Sequence, residues 1–497
     1  IVPFVWFGAR RDSETTAARV LRAASVPALA LLVCTLLMSY GRGALGAAVI
    51  ALAVWFAFVP LRLRGVLVLG LGAAGGLVLA LWAAGQPAIA NNNTQLAARV
   101  SAGHRFGLVL LVALALLTVI GWAMTVVLGR AALPALARRR IGIALVSLVA
   151  LVPVAGLVGL AASSRGFGGE VSHLWSSLTN PNGFVLDQPG RLSQLGSSRP
   201  RYWRDGLRVG EHAPWVGTGA FGFAVAHRRY SPDKVLEAHS YVIQTFADLG
   251  LIGLALSAAL LGAWAFAVRH TLRRGAGGDR ASPGAAGGDP VDAGGRPLAA
   301  DAERCGAFTV LAIAIAFGVH SAIDWTWFIP GAAVPALLCA GWLAGRGALG
   351  AAPARATAAP PARGLDLVRV GAAIGLGALA LLAAWIVWQP LRSANADAAA
   401  VSALMRGDAG AALTDGRTAA ASDPLDIKPL QFLSEIDLAL RQTAAARAEL
   451  VKATTLQPSN PESWTALAAF DAAHGRTADA QRENARAHAL APYSATG

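Results

Sequence analysis

The chain has 497 residues, of which 55% are hydrophobic and 14% are charged. The apolar residues lie in long uncharged blocks, so this composition excludes an ordinary soluble domain. The formal net charge of +14 raises the question of nucleic-acid binding. No nucleic-acid-binding motif or basic stripe with interleaved aromatic residues remains once the arginines between the blocks are set aside, so we expect no nucleic-acid partner.

Uncharged stretches of roughly 17 or more residues can cross a ~30 Å hydrocarbon core as helices. The sequence predicts nine such spans, at 24–40, 44–60, 66–84, 106–128, 141–161, 241–268, 305–323, 326–345 and 367–388. The opening IVPFVWFGAR resembles the last turns of a further span and does not begin with Met, so we expect N-terminal spans to precede it. The predicted fold class is all-α, a polytopic transmembrane helical bundle with a large outer loop and a small helical-repeat tail.

The arginines between the blocks predict the orientation, because positive charge accumulates in short cytoplasmic connections. Most of these arginines fall on one side of a strictly alternating topology, in 9–23, 61–65, 129–140, 269–304 and 346–366. The opposite short connections hold Arg42, Arg99 and Arg105. We therefore expect the first set to be cytoplasmic, and the loop 162–238 and the tail to be extracytoplasmic.

The predicted domains follow from the spans and from composition. Two connections are rich in Gly, Ala and Pro with few apolar residues, which is typical of disordered linkers. In chain order we expect N-terminal transmembrane helices (1–161), the extracytoplasmic loop (162–238), a transmembrane helix (239–269), a cytoplasmic linker (270–303), a helix pair (304–345), a second cytoplasmic linker (346–366), the last transmembrane helix (367–388) and extracytoplasmic repeats (389–497).

The tail is periodic. Pro424, Pro458 and Pro492 are spaced 34 residues apart, and alanines at 412, 446 and 480 keep the same step. This period in Ala-rich helices is typical of tetratricopeptide repeats, whose stacked helical pairs bind peptides or partner proteins. A protein partner on the repeats is therefore expected; an Ala-rich helical bundle without a partner remains the alternative.

Cysteine and motif content argue against a metal or cofactor. Cys34, Cys305 and Cys339 lie inside or at the edge of apolar blocks, which supports neither a disulfide framework nor a cysteine zinc site. The sequence has no Asp-x-Asp pair, no His-x-x-x-His and no Gly-rich Lys-Ser/Thr loop. We therefore expect no metal, no cofactor and no use of ATP or nucleotide sugars.

The loop 162–238 is the natural place for function, because the other connections are mostly short. Its basic residues outnumber its acidic ones and are concentrated at Arg199, Arg201, Arg204, Arg208, Arg228, Arg229 and Lys234. Two interpretations remain open at this point. The guanidinium groups bind the phosphates of an anionic lipid-linked substrate, or they form a solvated surface with local Arg–Asp pairs.

The order of residues in the loop carries a family resemblance. Arg199 and Trp203 are followed by Pro214, a Gly217-Thr218-Gly219 turn with Phe221, then Tyr230 and His239, and the next segment reads YVIQTFADLGLIG. This order resembles the O-antigen ligase and polymerase superfamily, with Ser240 in place of the usual Asn. Upstream, Arg42 and Gly43 resemble the family's Ser-Arg-Gly, with Gly41 replacing Ser.

The resemblance implies a multi-spanning enzyme of the bacterial cytoplasmic membrane. Such enzymes transfer a glycan from a polyprenyl-diphosphate carrier to an acceptor at the outer face, here a glycan, lipid or protein hydroxyl. His239 is the candidate general base, because imidazole accepts a proton near neutral pH. The candidate diphosphate-binding residues are Arg42, Arg199 and Arg204.

Other residues are expected to support this site. Trp203, Gly217, Gly219 and Tyr230 belong to the loop pattern, and Glu237 is a candidate to orient His239. His320 and Asp324 lie one helical turn apart near the outer end of a span, where we expect a structural pair rather than a second catalytic centre.

Two other functions remain as alternatives. A transporter or flippase would use the arginines to guide an anionic lipid, but the sequence lacks the paired halves typical of transporters. An envelope scaffold would use the repeats to recruit proteins, although anchoring alone requires a single span.

Overall fold

The computed structural model describes residues 1–9, 15–59, 62–130, 140, 162–180, 182–183, 188–192, 194, 196–272, 298–347 and 367–493. These residues form α-helices, three short 3-10 helices and no β-strand. The predicted all-α fold is therefore confirmed for this part of the chain. The predicted span 141–161 lies outside the described residues, as do most of the two predicted linkers.

The chain divides into two compact units. The first comprises Ile1–Leu207, Glu237–Phe246 and Leu251–Ala352, and the second comprises Arg208–Leu236, Ala247–Gly250 and Pro353–Gly497. The helices of the first unit, two of which also contribute residues to the second, are α1 (Val2–Ala9), α2 (Thr16–Met38), α3 (Arg42–Phe58), α4 (Arg62–Ala84), α5 (Pro87–Ala90), α6 (Leu96–Arg130), α7 (Gly166–Thr179), α8 (Arg199–His212), α10 (Tyr241–Leu272), α11 (Leu298–Ile323) and α12 (Pro330–Gly345).

The core of the first unit lies where α1, α2, α3, α4 and α11 meet. The fully buried Trp55 packs there with Val5, Leu29 and Val68, and with Phe308. Its indole Nε1 donates a 2.9 Å hydrogen bond to Oγ1 of Thr309. An aromatic residue fills the space between the helices without leaving a buried donor unpaired, which would otherwise be costly.

Several helices of the described residues have the length and composition of membrane spans. Six qualify: Thr16–Met38, Leu63–Ala84, Leu96–Val126, Tyr241–Leu272, Ala302–Ile323 and Val370–Met405. Two shorter apolar helices, α3 and α12, have 17 and 16 residues. These eight helices overlap eight of the predicted spans, and the chain is a multi-pass membrane protein. The number of nine spans stays a prediction.

The second unit contains the helices of the tail. They are α13 (Leu367–Met405), α14 (Ala409–Ser422), α15 (Lys428–Ala439), α16 (Thr443–Leu456), α17 (Pro461–Ala473) and α18 (Thr477–Leu490), to which the loop adds α9 (Phe223–Ala226). Each tail helix packs against the next. The predicted boundary between span and tail at 388/389 does not interrupt the backbone, because α13 continues through Pro390 to Met405. The Ala-rich sequence after Pro390 favours this continuation.

The period of 34 residues is visible in the helices themselves. The 14-residue helices α14, α16 and α18 begin at Ala409, Thr443 and Thr477. The turn before each contains a residue with positive φ, namely Gly407, Arg441 and Gly475. This conformation favours glycine, and Arg441 adopts it with a full side chain. Assignment to the tetratricopeptide class stays a prediction.

A charged cluster is buried between the last helices of the tail. Arg447 places Nε 2.8 Å from Oδ1 and Nη2 2.6 Å from Oδ2 of the fully buried Asp471. The Glu483 carboxylate lies 3.8 Å from the same guanidinium. Burial, together with repulsion from Asp471, raises the pKa of Glu483 to about 6, although Arg447 opposes the shift. The guanidinium of Arg447 therefore lies close to two carboxylates, those of Asp471 and Glu483.

Replacement of Glu483 by Gln should stabilise the tail near neutral pH. The folded pKa lies above the ordinary 4.5, so the ionised carboxylate carries a penalty that is full above about pH 6 and is relieved as pH falls towards 4.5. We expect Glu483→Gln to add about 1–2 kcal/mol at pH 7.5 and little at pH 4.5. Urea unfolding in detergent, followed by circular dichroism, measures this. Glu435→Gln, at an exposed position, is the control, and no gain at pH 7.5 would contradict the account.

Candidate functional site

The local structure around His239 presents its ring at the start of a helix. His239 has φ +53, in the left-handed region, and α10 begins two residues later. The Ser240 hydroxyl accepts a hydrogen bond from the amide of Ile243 at 3.4 Å, and the amide of Ala238 donates to Gln244 Oε1 at 2.7 Å. Ser and Asn are both preferred N-cap residues, so Ser240 caps the helix in place of the Asn that the family resemblance predicts.

Asp324 joins three of the predicted site residues. Its Oδ1 lies 3.1 Å from Nδ1 of His239, and its Oδ2 lies 2.5 Å from Nη2 of Arg199 and 3.6 Å from Nε2 of His320. The amide of Trp325 donates a 3.0 Å hydrogen bond to Oδ1. The four side chains are between 18% and 25% exposed. The cluster is therefore partly desolvated but open to a substrate.

The charge of Asp324 fixes the tautomer of His239. Burial by itself raises the pKa of Asp324, but contacts with the two imidazoles, the charge of Arg199 and the Trp325 amide outweigh it. The pKa of Asp324 is held well below its usual range, so the carboxylate is ionised at neutral pH. Since a carboxylate accepts hydrogen bonds, Nδ1 of His239 carries the hydrogen, and Nε2 is left with a lone pair.

Aromatic residues hold the imidazole of His239 in place. The Tyr202 ring stacks on it with centroids 5.2 Å apart, and Trp325 makes an edge contact at 6.2 Å. Trp203, predicted as a supporting residue, donates from its indole Nε1 to the backbone oxygen of His239 at 3.2 Å. The pattern that identified Trp203 gave no indication of the neighbouring Tyr202.

Arg42 is brought to the loop from the start of α3. Its guanidinium donates to the backbone oxygens of Gln194 and Gly196, the second at 2.6 Å. Its neighbour Gly43 lies against α11, where an added Cβ would be 3.4 Å from the His320 ring. Arg191 and Arg199 are close enough to repel the charge of Arg42. Three guanidinium groups thus lie within range of mutual repulsion, and one of them, Arg199, is paired with Asp324.

Three other predicted residues have different neighbours. Arg204 is about half exposed, with Nε 3.9 Å from Oδ1 of Asp205. Burial raises the pKa of Glu237 while nearby His239 lowers it, but Nδ1 of His239 donates its hydrogen bond to Asp324 rather than to Glu237. Tyr230, in the second unit, stacks near the guanidinium of Arg208 at 5.8 Å.

The Gly217-Thr218-Gly219 turn is a backbone joint with α10. The amides of Thr218 and Gly219 donate to the oxygens of Ala247 and Asp248 at 3.0 and 2.9 Å. These oxygens are available because Gly250, with φ +63 and ψ −159, interrupts the helical conformation of α10. The Asp248 carboxylate accepts from the amides of Phe223 and Phe221 at 2.8 and 3.2 Å. The acidic residue and the glycine of the ADLG segment therefore hold the turn.

The two glycines of this turn should tolerate alanine differently. An added Cβ on Gly217 would lie 2.3 Å from the carbonyl carbon of Asp248, whereas Gly219 has no atom within 4 Å of that position; both have positive φ. Gly219→Ala should cost about 1 kcal/mol through backbone strain alone. Gly217→Ala must also separate the two backbones and should lower the melting temperature in detergent much further, as measured by thermal size-exclusion chromatography. Equal shifts would contradict the proposed joint.

The site combines an oriented imidazole with a group of arginines. A base whose second nitrogen is fixed by a carboxylate can remove a proton from a hydroxyl, and guanidinium groups can stabilise a departing anion. Among the described residues, no group of three or more His, Cys, Asp and Glu side chains could hold a metal ion.

The apolar helices and this cluster define a multi-pass membrane protein with a charged site formed by a loop and the ends of helices. Residues 100–258 match the family model described as O-Antigen ligase. This match supports the O-antigen ligase superfamily and, with it, a glycosyl-transferring activity. The matched region contains Arg199, Trp203, the Gly217 turn and His239, whereas Arg42, Asp324 and the tail lie outside it. No curated protein sequence matches the chain.

Proposed function

We propose that the protein transfers a glycan from a polyprenyl-diphosphate carrier to an acceptor hydroxyl at the outer face of the bacterial cytoplasmic membrane, as in polysaccharide ligation or polymerisation. The observation that carries the proposal is the contact of Asp324 with both His239 and Arg199. It joins a candidate proton acceptor to a candidate anion-binding group through one carboxylate. The acceptor is a glycan, a lipid or a protein.

In the proposed step, Nε2 of His239 takes the proton of the acceptor hydroxyl. The hydroxyl oxygen forms a bond to the anomeric carbon, and the bond between that carbon and the diphosphate oxygen breaks. The electron pair leaves with the polyprenyl diphosphate. Attack opposite the leaving group inverts the anomeric configuration. Asp324 stabilises the imidazolium that forms, as expected of a carboxylate on the other ring nitrogen.

Arg42, Arg191 and Arg199 are proposed to neutralise the diphosphate. Arg191 and Arg199 repel the charge of Arg42, and an anionic ligand bound between them would relieve this repulsion. Guanidinium groups bind phosphate oxygens in pairs and retain their charge at all relevant pH values. Charge neutralisation by arginines makes a metal unnecessary for this step, and we propose that the reaction is metal-independent.

The contact of Arg42 with Gln194 and Gly196 also supports the proposed topology. Arg42 lies in the predicted connection 41–43, and the two backbone oxygens belong to the loop 162–238. Groups in contact lie on the same side of a membrane. The arginine bias predicts that both segments lie outside the cytoplasm, where a polyprenyl-linked glycan and its acceptor would meet among the membrane lipids.

Asp324→Asn should lower glycan transfer by roughly a hundredfold or more, close to the effect of His239→Ala, because the wrong tautomer of His239 is then favoured. Loss of the anion also removes the charge that stabilises the imidazolium formed in the step. Transfer from a polyprenyl-diphosphate oligosaccharide, with EDTA present, measures the loss. Glu237→Gln is the matched control and should have a much smaller effect.

Unchanged transfer in Asp324→Asn and His239→Ala would refute the site. Movement of labelled lipid across liposomes without transfer would favour a flippase.

Arg199→Lys should reduce kcat/KM for the donor by about tenfold or more, because lysine keeps the charge but loses the planar fork shared between Asp324 and a phosphate. Arg204→Lys tests the other predicted diphosphate ligand. Because Arg204 is half exposed beside Asp205, we expect less than a twofold change. The same transfer assay at varied donor concentration compares kcat/KM for the two variants. Equal losses would indicate that Arg204 also binds the diphosphate.

A further inference from the structure

The last helical pair of the tail contacts the loop within the second unit. Nη1 of Arg228 lies 2.7 Å from Oε1 of Glu462. The Arg228 side chain is 15% exposed, whereas that of Glu462 is 49% exposed. Helix α18 also packs against the 3-10 helix His227–Arg229 that carries Arg228. The contact therefore combines an ion pair with the packing of one element on another.

Hydrogen bonds of His227 stabilise the loop segment that the tail contacts. The fully buried His227 places Nδ1 2.8 Å from the oxygen of Phe223 and Nε2 2.7 Å from the oxygen of Asp233. Its ring stacks on Phe223 at 4.9 Å. Phe223 in turn donates its amide to Asp248 in α10. A contact at Arg228 thus acts on a segment that is linked to the kink of α10.

Charge complementarity explains why α17, rather than α15, contacts Arg228. Glu462 is near the start of α17, and the position one period of 34 residues earlier is Lys428, near the start of α15. A lysine at that position would repel Arg228. Only the last of the two corresponding helix starts is therefore complementary to the loop, so the contact is specific to α17 and α18.

The other end of the array is fixed to the last apolar helix. Ala400 and Ala403 of α13 pack in one core with Ala412 of α14 and with Leu433 and Ile436 of α15. Because α13 continues into the array without a linker, the tail is already tethered to the chain when it meets the loop. Tethering raises the effective concentration of the two partners, so even a small contact can be occupied.

We propose that the last helical pair of the tail, α17 and α18, is an intramolecular docking partner that holds the loop segment around His227–Arg229. The occupant of this tail surface is the loop of the same chain rather than a separate protein. By ordering residues 223–233, the tail positions the loop that leads to His239. This last consequence for transfer rests on the proposed function, whereas the docking itself does not.

Charge reversal tests the docking in the full chain, reconstituted in nanodiscs. Arg228→Glu and Glu462→Arg each replace an attraction by a repulsion, so amide hydrogen exchange of residues 223–233 should become about fivefold faster or more. The double variant, with the charges exchanged, should restore exchange to within about twofold of the original, a rescue that misfolding would not give. Lys428→Glu, at the equivalent exposed position, is the matched control and should leave exchange unchanged.

Several outcomes would overturn the proposal. Unchanged exchange in both single variants, or no rescue in the double variant, would remove the docking contact. Rescue on mixing the two single variants within one nanodisc would show that the tail docks on a second copy instead. Transfer activity is measured alongside: if exchange responds as expected but the transfer rate does not, the positioning role fails while docking stands. Absence of transfer in the unmodified protein would count against the proposed function alone.

Discussion

A single carboxylate, that of Asp324, determines the arrangement of the candidate site. It lies just after α11, and it binds Arg199 at the start of α8 and His239 just before α10. Three chain segments thus meet at one anion. Its low pKa follows from the cations and donors around it, so the same charge holds the segments together, fixes the tautomer of His239 and keeps a guanidinium near the base. The same anion balances the charge of Arg199, one of the two arginines that repel Arg42.

The second constraint is the joint between the loop and α10. A helix normally uses its own backbone oxygens, but the left-handed Gly250 frees two of them for the amides of Thr218 and Gly219. Gly217 allows the two backbones to approach closely, whereas Gly219 has open space beside it and provides a positive φ for the turn. Asp248 completes the joint by accepting two further amides. The ADLG segment and the Gly-x-Gly turn therefore form one hydrogen-bonded unit.

The sequence predicted most of the membrane helices because uncharged length is a direct physical requirement of a span. It also selected Arg199 and His239 from the order of residues along the loop, and Arg42 from the short Gly41-Arg42-Gly43 motif. The partnership of His239 with Asp324 was not predictable in this way, because 85 residues separate them and the neighbouring Glu237 was the nearer candidate. Arg191 and Tyr202 were missed because neither stands out in composition or spacing. The predicted division at 388/389 came from the end of an apolar block, and apolar content alone does not reveal that the helix continues to Met405.

The uninterrupted course of α13 has a consequence for how this chain can vary. Each residue inserted into an α-helix turns everything beyond it by about 100° and moves it by about 1.5 Å. A single insertion after Pro390 would rotate the whole array about the helix axis and carry Glu462 away from Arg228. An insertion of about two full turns would preserve the direction but move the array by about 10 Å along the axis, which also separates the 2.7 Å ion pair. Related chains that keep the docked tail should therefore keep the length of this stretch constant. The length of α13 therefore sets both the height and the angle at which the helical array meets the loop.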